Sequence, residues 1–174
     1  MAKKKVFSTL EDVPDRTRLF IDATIFIYHF TGVSPQCRRV LERCEAGRLK
    51  AATSVITVAE LAHRLMMIEA VQRRLVSEGN VVRKLRERPS VVQKLHSYAE
   101  QVGRVPLMGI EVIPVDLKTL FGSRELRDRY GLMVNDSFIA RSAIDAGYPA
   151  VASADPDFAR VDALQLYVPT DLAS

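Results

Sequence analysis

Four carboxylates stand where a chain of alternating strands and helices would gather them: Asp22, Glu60, Asp136 and Asp155. Each has an ordinary structural explanation. Asp22 ends an apolar run and suits the N-cap of a helix from Ala23 onward. Glu60 closes Thr57-x-x-Glu60, the spacing of a capping box. Asp136 falls in the first turn of a helix, where a carboxylate complements the helix dipole. Asp155 precedes Pro156, and Asp is a common turn former. As a set they ask for more. Carboxylates sharing one cleft raise each other's pKa and call for a cation. No Lys or Arg adjoins Asp22, Glu60 or Asp136, and Arg141 lies one and a half turns beyond the last. A hard divalent ion, Mg²⁺ or Mn²⁺, is the simplest neutraliser. Such ions prefer oxygen ligands and keep waters, which leaves room for a phosphate.

The elements that must position these acids are legible in outline. Residues 1–17 form a polar lead-in. Residues 18–22 read as a buried strand, 23–31 as a helix, and Ser34-Pro35 as the start of a helix ending before Gly47. Residues 49–55 read as a second strand. Thr57 opens a long helix to about Ser77, Glu78-Gly-Asn80 turns, and helical stretches follow at 81–88 and 91–102. Residues 110–115, 149–153 and 164–168 read as three further strands. Asp116 and Asn135 are candidate caps for the intervening helices, and Gly122 a candidate interruption. Short apolar strands alternating with helices predict an α/β fold, a parallel sheet covered on both faces. Right-handed crossovers put every strand's C-terminal end at one edge, where ligands of such sheets bind. Asp22, Asp155, Glu60 and Asp136 all fall there.

Composition narrows the class. Of 174 residues 48% are apolar and 26% charged, which supports a packed core rather than disorder. The length suits one domain, 1–174, with 61–104 as a helical insertion within it. The net charge of +4 suits a polyanionic partner without requiring one. Cys37 and Cys44 flank Val40 and Leu41 on one helical stripe, so both are expected in the core. His29, His63 and His96 show no zinc spacing. Met1–Phe7 is charged without an apolar h-region, so no signal peptide is expected. No apolar run nears the roughly 20 residues of a membrane span. A cytoplasmic, reduced location without a membrane partner is the expectation.

Four segments carry a family resemblance: Leu19-Phe-Ile-Asp-Ala-Thr-Ile-Phe-Ile27, Thr53-Ser-Val-Ile-Thr-Val-Ala-Glu-Leu61, Val134-Asn-Asp-Ser-Phe-Ile-Ala140 and Ala150-Val-Ala-Ser-Ala-Asp-Pro-Asp-Phe158. In this order they resemble the PIN-domain nucleases, including VapC-like ribonucleases, and Leu164-Gln-Leu-Tyr-Val-Pro169 resembles the final strand of that family. The resemblance implies a three-layer α/β/α fold with a central parallel sheet of about five strands. It implies divalent-metal-dependent hydrolysis of RNA phosphodiester bonds, with the family's acids at Asp22, Glu60, Asp136 and Asp155 and its small hydroxyl at Ser153. Thr24 stands where the family often has Asn or Ser, and Asp157 competes with Asp155 for the fourth role. The lead-in and the helices of 61–104 are longer than in a minimal toxin of this family. An antitoxin protein and a second copy of the chain are the partners the resemblance implies.

Arg64, Arg73, Arg74, Arg83 and Lys84 are candidates to hold RNA phosphates, against a solvated helix face as the plainer explanation. A homodimer is expected on a second ground: Leu65, Ile68, Leu75, Val81, Val82, Leu85, Val92 and Leu95 need cover that a projecting insertion would not provide. Two other functions fit some residues. One is a non-catalytic PIN-fold module binding RNA or protein. The other is an aspartyl-nucleophile phosphatase built on Asp22, which lacks the usual second Asp because Thr24 stands there.

Overall fold

The structure is a computed structural model and describes residues 8–172. Met1–Phe7, where no signal peptide was expected, lies outside the described residues. Six strands build one sheet: β1 (Ser8–Thr9), β2 (Arg18–Ile21), β3 (Lys50–Ser54), β4 (Ile110–Ile113), β5 (Ala150–Ala152) and β6 (Gln165–Val168). Their spatial order is β1-β6-β5-β2-β3-β4, and every pair is parallel. About five strands were expected. The addition is β1, which pairs Ser8 with Tyr167 and Thr9 with Val168 inside the stretch read as lead-in. Two residues carry no periodicity, so only the pairing itself reveals them.

The helices are α1 (Ala23–Phe30), α2 (Pro35–Glu45), α3 (Val55–Gln72), α4 (Val81–Arg86), α5 (Pro89–Val92), α6 (Ser97–Gly103), α7 (Leu117–Tyr130) and α8 (Val134–Asp145). Side chains alternate across the sheet. Leu19, Ile21, Ala51 and Ala152 pack with residues of α1, α2 and α3, among them Phe26, Cys37, Leu41 and Leu61. Phe20, Ala52, Val151 and Leu166 pack with Leu126 of α7 and Ile139, Ala140 and Ala143 of α8. This gives the three-layer α/β/α arrangement. Strands β3 and β4 lie on one side of β2, and β5 and β6 on the other. The chain therefore reverses its winding between β2 and β5, and a crevice opens beyond their C-terminal ends. Among the described residues no helix is long and apolar enough to cross a membrane.

Several boundaries differ from the sequence reading. Ser54, not Thr57, caps α3: its hydroxyl accepts the Thr57 N–H at 3.2 Å. The capping box at Thr57 and Glu60 is therefore not formed. Helix α3 stops at Gln72 rather than near Ser77. Arg74 takes a left-handed backbone (φ 55°), and the N–H groups of Leu75 and Arg74 bond to Ala70 and Val71 carbonyls. That is a Schellman stop with Arg where Gly is usual, so no residue type announces it. Met133, not Asn135, precedes α8, without a side-chain cap. Gly122 does not interrupt α7; a Cβ there would lie 3.4 Å from Arg141 Nε, so its role is close packing.

Segment 61–104 supplies its own small core. Ala70, Val76, Leu85 and Leu95 are buried together, with Met66, Leu75, Val81 and Val92 packed around them. Leu85 and Leu95 retain only 6% and 4% exposure, and Leu65 joins the main core, so the argument that these residues need a second copy is corrected. Buried Glu69 organises the segment. Its carboxylate accepts the backbone N–H of His96 at 3.1 Å and of Tyr98 at 3.0 Å, and Arg73 donates at 2.9 Å. Glu69 thereby caps α6 from a different helix. This explains why the expected 91–102 helix is split: the amides at 96 and 98 turn to Glu69 rather than continuing from α5.

Candidate functional site

Asp22 leaves β2 and caps α1. Its Oδ2 accepts the Thr24 hydroxyl at 2.7 Å, the Ser153 hydroxyl at 2.7 Å and the Thr24 N–H at 3.4 Å. Both hydroxyl protons are spent on Asp22, so both oxygens act as acceptors toward the backbone. Ala154 N–H donates to Thr24 Oγ1 and Asp155 N–H to Ser153 Oγ, each at 3.0 Å. The turn after β5 is thus laced to the start of α1. Among the described residues Asp22 Oδ1 receives no hydrogen bond and is left for the cleft. Thr24 and Ser153 position the acid, and a Thr24 hydroxyl committed in this way is no substitute for the second Asp of a phosphatase.

Glu60 lies in the second turn of α3, free of any cap role. Its pKa is raised, first by burial and then by the Asp22 charge, with Arg64 and His63 offsetting part. Asp136 sits in the first turn of α8. Its pKa is pushed up to about 6, first by burial and then by repulsion from Asp155, Asp22, Glu60 and Asp157 in that order. A carboxyl that feels all the other acids shares one cleft with them. Asp155 caps the turn Pro156–Arg160, its Oδ1 accepting the Asp157 N–H at 2.8 Å. Asp157 is tied to Arg160 at 2.7 Å and contributes the weakest of the four repulsions on Asp136. Asp22, Glu60, Asp136 and Asp155 have no cationic partner within ion-pair distance among the described residues. Sequence reading missed Arg160, which also donates to the Gly131 carbonyl at 3.3 Å and so spans two loops near the cleft. Its spacing of three from Asp157 was the available signal.

The donor set is all oxygen, uncompensated, and fixed at Asp22 by two hydroxyls. That chemistry suits a hard divalent cation, which is bound by one or two carboxylates and retains water. Among the described residues no three His, Cys, Asp or Glu side chains close around a common point as a metal cage would.

The basic candidates separate into two kinds. Arg73 is spent on Glu69 and the Lys94 carbonyl, and Lys84 on Ser77 and the Glu78 carbonyl. Arg83 pairs with Glu87 on the surface. Arg64 lies one turn beyond Glu60, and Arg74 is exposed without an ion-pair partner among the described residues. Tyr98 packs on the core, and the Tyr130 hydroxyl meets Asp162 at 3.3 Å. Cys37 and Cys44 are both buried, as expected, and burial pushes their thiols up to about 11 and about 12.

Comparison with known proteins agrees with this fold. VapBC2 of Rickettsia felis, solved bound to a promoter DNA fragment, is similar at TM-score 0.56 and 20% identity, over 88% of this chain and 99% of that one. A toxin–antitoxin complex of Klebsiella pneumoniae is similar at TM-score 0.52 and 21% identity, over 84% and 94%. VapC20 of Mycobacterium tuberculosis, a toxin cleaving the sarcin–ricin loop, is similar at TM-score 0.54 and 14% identity, over 81% and 92%. At such identities the likeness speaks to the fold. No curated protein matches the chain. The PIN domain family model matches residues 19–164, from within β2 to the residue before β6, and the chain belongs to the PIN domain family.

Proposed function

We propose that this chain is a divalent-metal-dependent endoribonuclease, the toxin member of a VapBC-type toxin–antitoxin pair. The observation that carries the reading is Asp136, pushed up to about 6 by burial and by repulsion from Asp155, Asp22 and Glu60, none of which has an ion-pair partner among the described residues. Asp22, Asp136 and Asp155 are the direct Mg²⁺ or Mn²⁺ ligands in this reading, with Glu60 as ligand or water-orienting base. A bound divalent cation supplies charge neutralisation at the phosphate and a more acidic water. The chain's own part is positional. Thr24 and Ser153 hold Asp22 Oδ2 so that Oδ1 faces the cleft. Glu60, carrying a raised pKa and no hydrogen bond among the described residues, can accept a proton from an attacking water. Asp157, neutralised by Arg160, supports the Asp155 turn.

Toxin–antitoxin complexes among the similar structures support an antitoxin partner. Exposed Leu117 and Phe121 on α7, Met133 just before α8 and Val134 at its start are available to such a partner or to a second copy, and a homodimer is part of the proposal. So are the single-domain organisation of 1–174 with 61–104 as an insertion, and a cytoplasmic location. That no three acids close into a metal cage among the described residues favours one alternative, a PIN-fold module that binds RNA or protein without cutting. Incubation of a labelled RNA with the purified chain in Mn²⁺ or in EDTA separates the two. Cleavage in Mn²⁺ that disappears in EDTA and in Asp22→Asn is the expected result. RNA left intact under both conditions sinks the nuclease reading.

A further inference from the structure

Segment 61–104 holds nine Lys or Arg against four Glu, so it carries a net charge of +5 while the rest of the chain is close to neutral. Part of that charge is internal, since Arg73 and Lys84 serve the segment's own fold. Of the rest, Arg74 and Arg88 line a pocket of about 530 Å³ at the far end of α3. Val71, Leu75 and Val76 form an apolar wall, and Arg74 and Arg88 stand on its rim. Neither arginine has a side-chain hydrogen bond or ion pair among the described residues, and both are exposed. Glu78 also lines the pocket, pairs with neither arginine, and has its carbonyl held by Lys84. Apolar wall, paired guanidiniums and one carboxylate match a nucleotide. The wall packs a base face, the arginines hold phosphates, and a carboxylate accepts from an exocyclic amine.

The pocket's position connects it to the cleft. Residues 60, 64, 67 and 71 follow the i, i+4, i+7, i+11 spacing of a single helical stripe. Glu60, Arg64, Met67 and Val71 therefore lie on one side of α3, which ends at Gln72, and Val71 in the pocket wall is about 17 Å along the helix from Glu60 at 1.5 Å per residue. We propose that the Arg74–Arg88 pocket is a second RNA-binding site, which seats a single-stranded nucleotide several positions away from the bond at the acidic cleft. The assignment takes RNA as its ligand from the ribonuclease reading, but it is tested by binding alone.

The experiment measures anisotropy of a fluorescent 12-nucleotide single-stranded RNA with the full chain in EDTA, across a salt series. The test variant is Arg74→Asn with Arg88→Gln; Asn is chosen because it accepts the left-handed backbone at 74. The control is Arg124→Gln with Arg129→Gln, which removes the same charge from α7, where both arginines are ion-paired. Two lost phosphate contacts at about 0.7 each lower the slope of log K against log salt by about 1.4. The control is expected to keep the wild-type slope, and Arg74→Lys with Arg88→Lys to retain most of it. Equal slopes in test and control variants overturn the proposal, as does a wild type that binds no RNA, or poly-glutamate competing as well as RNA. Cleavage with unaltered binding in the test variant defeats this pocket and spares the nuclease reading. Loss of binding in the test variant of a chain that cuts no RNA does the reverse.

Discussion

Asp136→Asn is expected to stabilise the metal-free chain. The acid's pKa stands at about 6 against an ordinary 3.8. A little over two units at 1.36 kcal/mol each corresponds to about 3 kcal/mol between the two protonation states. Asp136 is only part-buried, so solvent screening reduces this to about 1.5 kcal/mol. Between pH 3.8 and about 6 the folded state holds a proton that the unfolded state has released, so wild-type stability falls as pH rises through that window. Above it the full penalty of an ionised Asp136 is present, and below pH 3.8 it is absent. Asn has the shape without the charge. At pH 7.5 in EDTA the variant should melt about 3–6 °C above wild type, at 2–4 °C per kcal/mol for a domain of this size. At pH 3.5 the two should melt within a degree or so of each other. Added Mn²⁺ should stabilise wild type, by occupying the repelling carboxylates, more than it stabilises the variant. Thermal scans at three pH values with and without Mn²⁺ test all of this. A variant that melts lower than wild type by the same amount at every pH would refute the reasoning, because Asp136 would then be a structural hydrogen-bonding group rather than one of a repelling set.

Other expectations follow from the same contacts. Ser153→Ala removes a 2.7 Å bond to a carboxylate, worth about 1.5–3 kcal/mol, and should lower RNA cleavage by about 10- to 100-fold at limiting metal, with partial recovery at high Mn²⁺; a rate unchanged at limiting metal removes Ser153 from the site. Glu69→Gln should loosen α4–α6 before the sheet, read as faster amide exchange at His96 and Tyr98. Burial raises the Glu69 pKa, but the Tyr98 N–H, Arg73 and the His96 N–H outweigh it and the net shift is downward. Its contribution is therefore present above the ordinary value of 4.5 and is lost as pH falls through the lower folded value, so acid should produce the same local loosening in wild type. Leu85→Ala should cost about 2–5 kcal/mol as a buried cavity, without changing the mass measured by light scattering; a change of mass with unaltered stability would return Leu85 to an interface.

The acids and their order were visible in the sequence because each follows an apolar run short enough to be a buried strand, or opens a helix leading into one. Parallel connection alone then brings Asp22, Glu60, Asp136 and Asp155 to one edge, and the PIN resemblance rests on the same segments. Local chemistry also identified Ser34-Pro35 and Asp116 as helix starts and placed Cys37 and Cys44 in the core. Other features depended on partners distant in sequence. Strand β1 exists only by pairing with β6. Helix α6 begins where it does because Glu69, 27 residues away, accepts its first amides. Leu85 and Leu95 looked exposed until Val76 and Ala70 closed over them. Glu60 lost its capping role when Ser54 took the cap. Arg73 and Arg74 are neighbours of the same type, yet one is committed to Glu69 and the other faces solvent. Composition and period report which residues want burial or a charge partner; which partner they receive is decided by long-range packing, where a shift of one position just past the end of α3 exchanges an internal contact for the solvent.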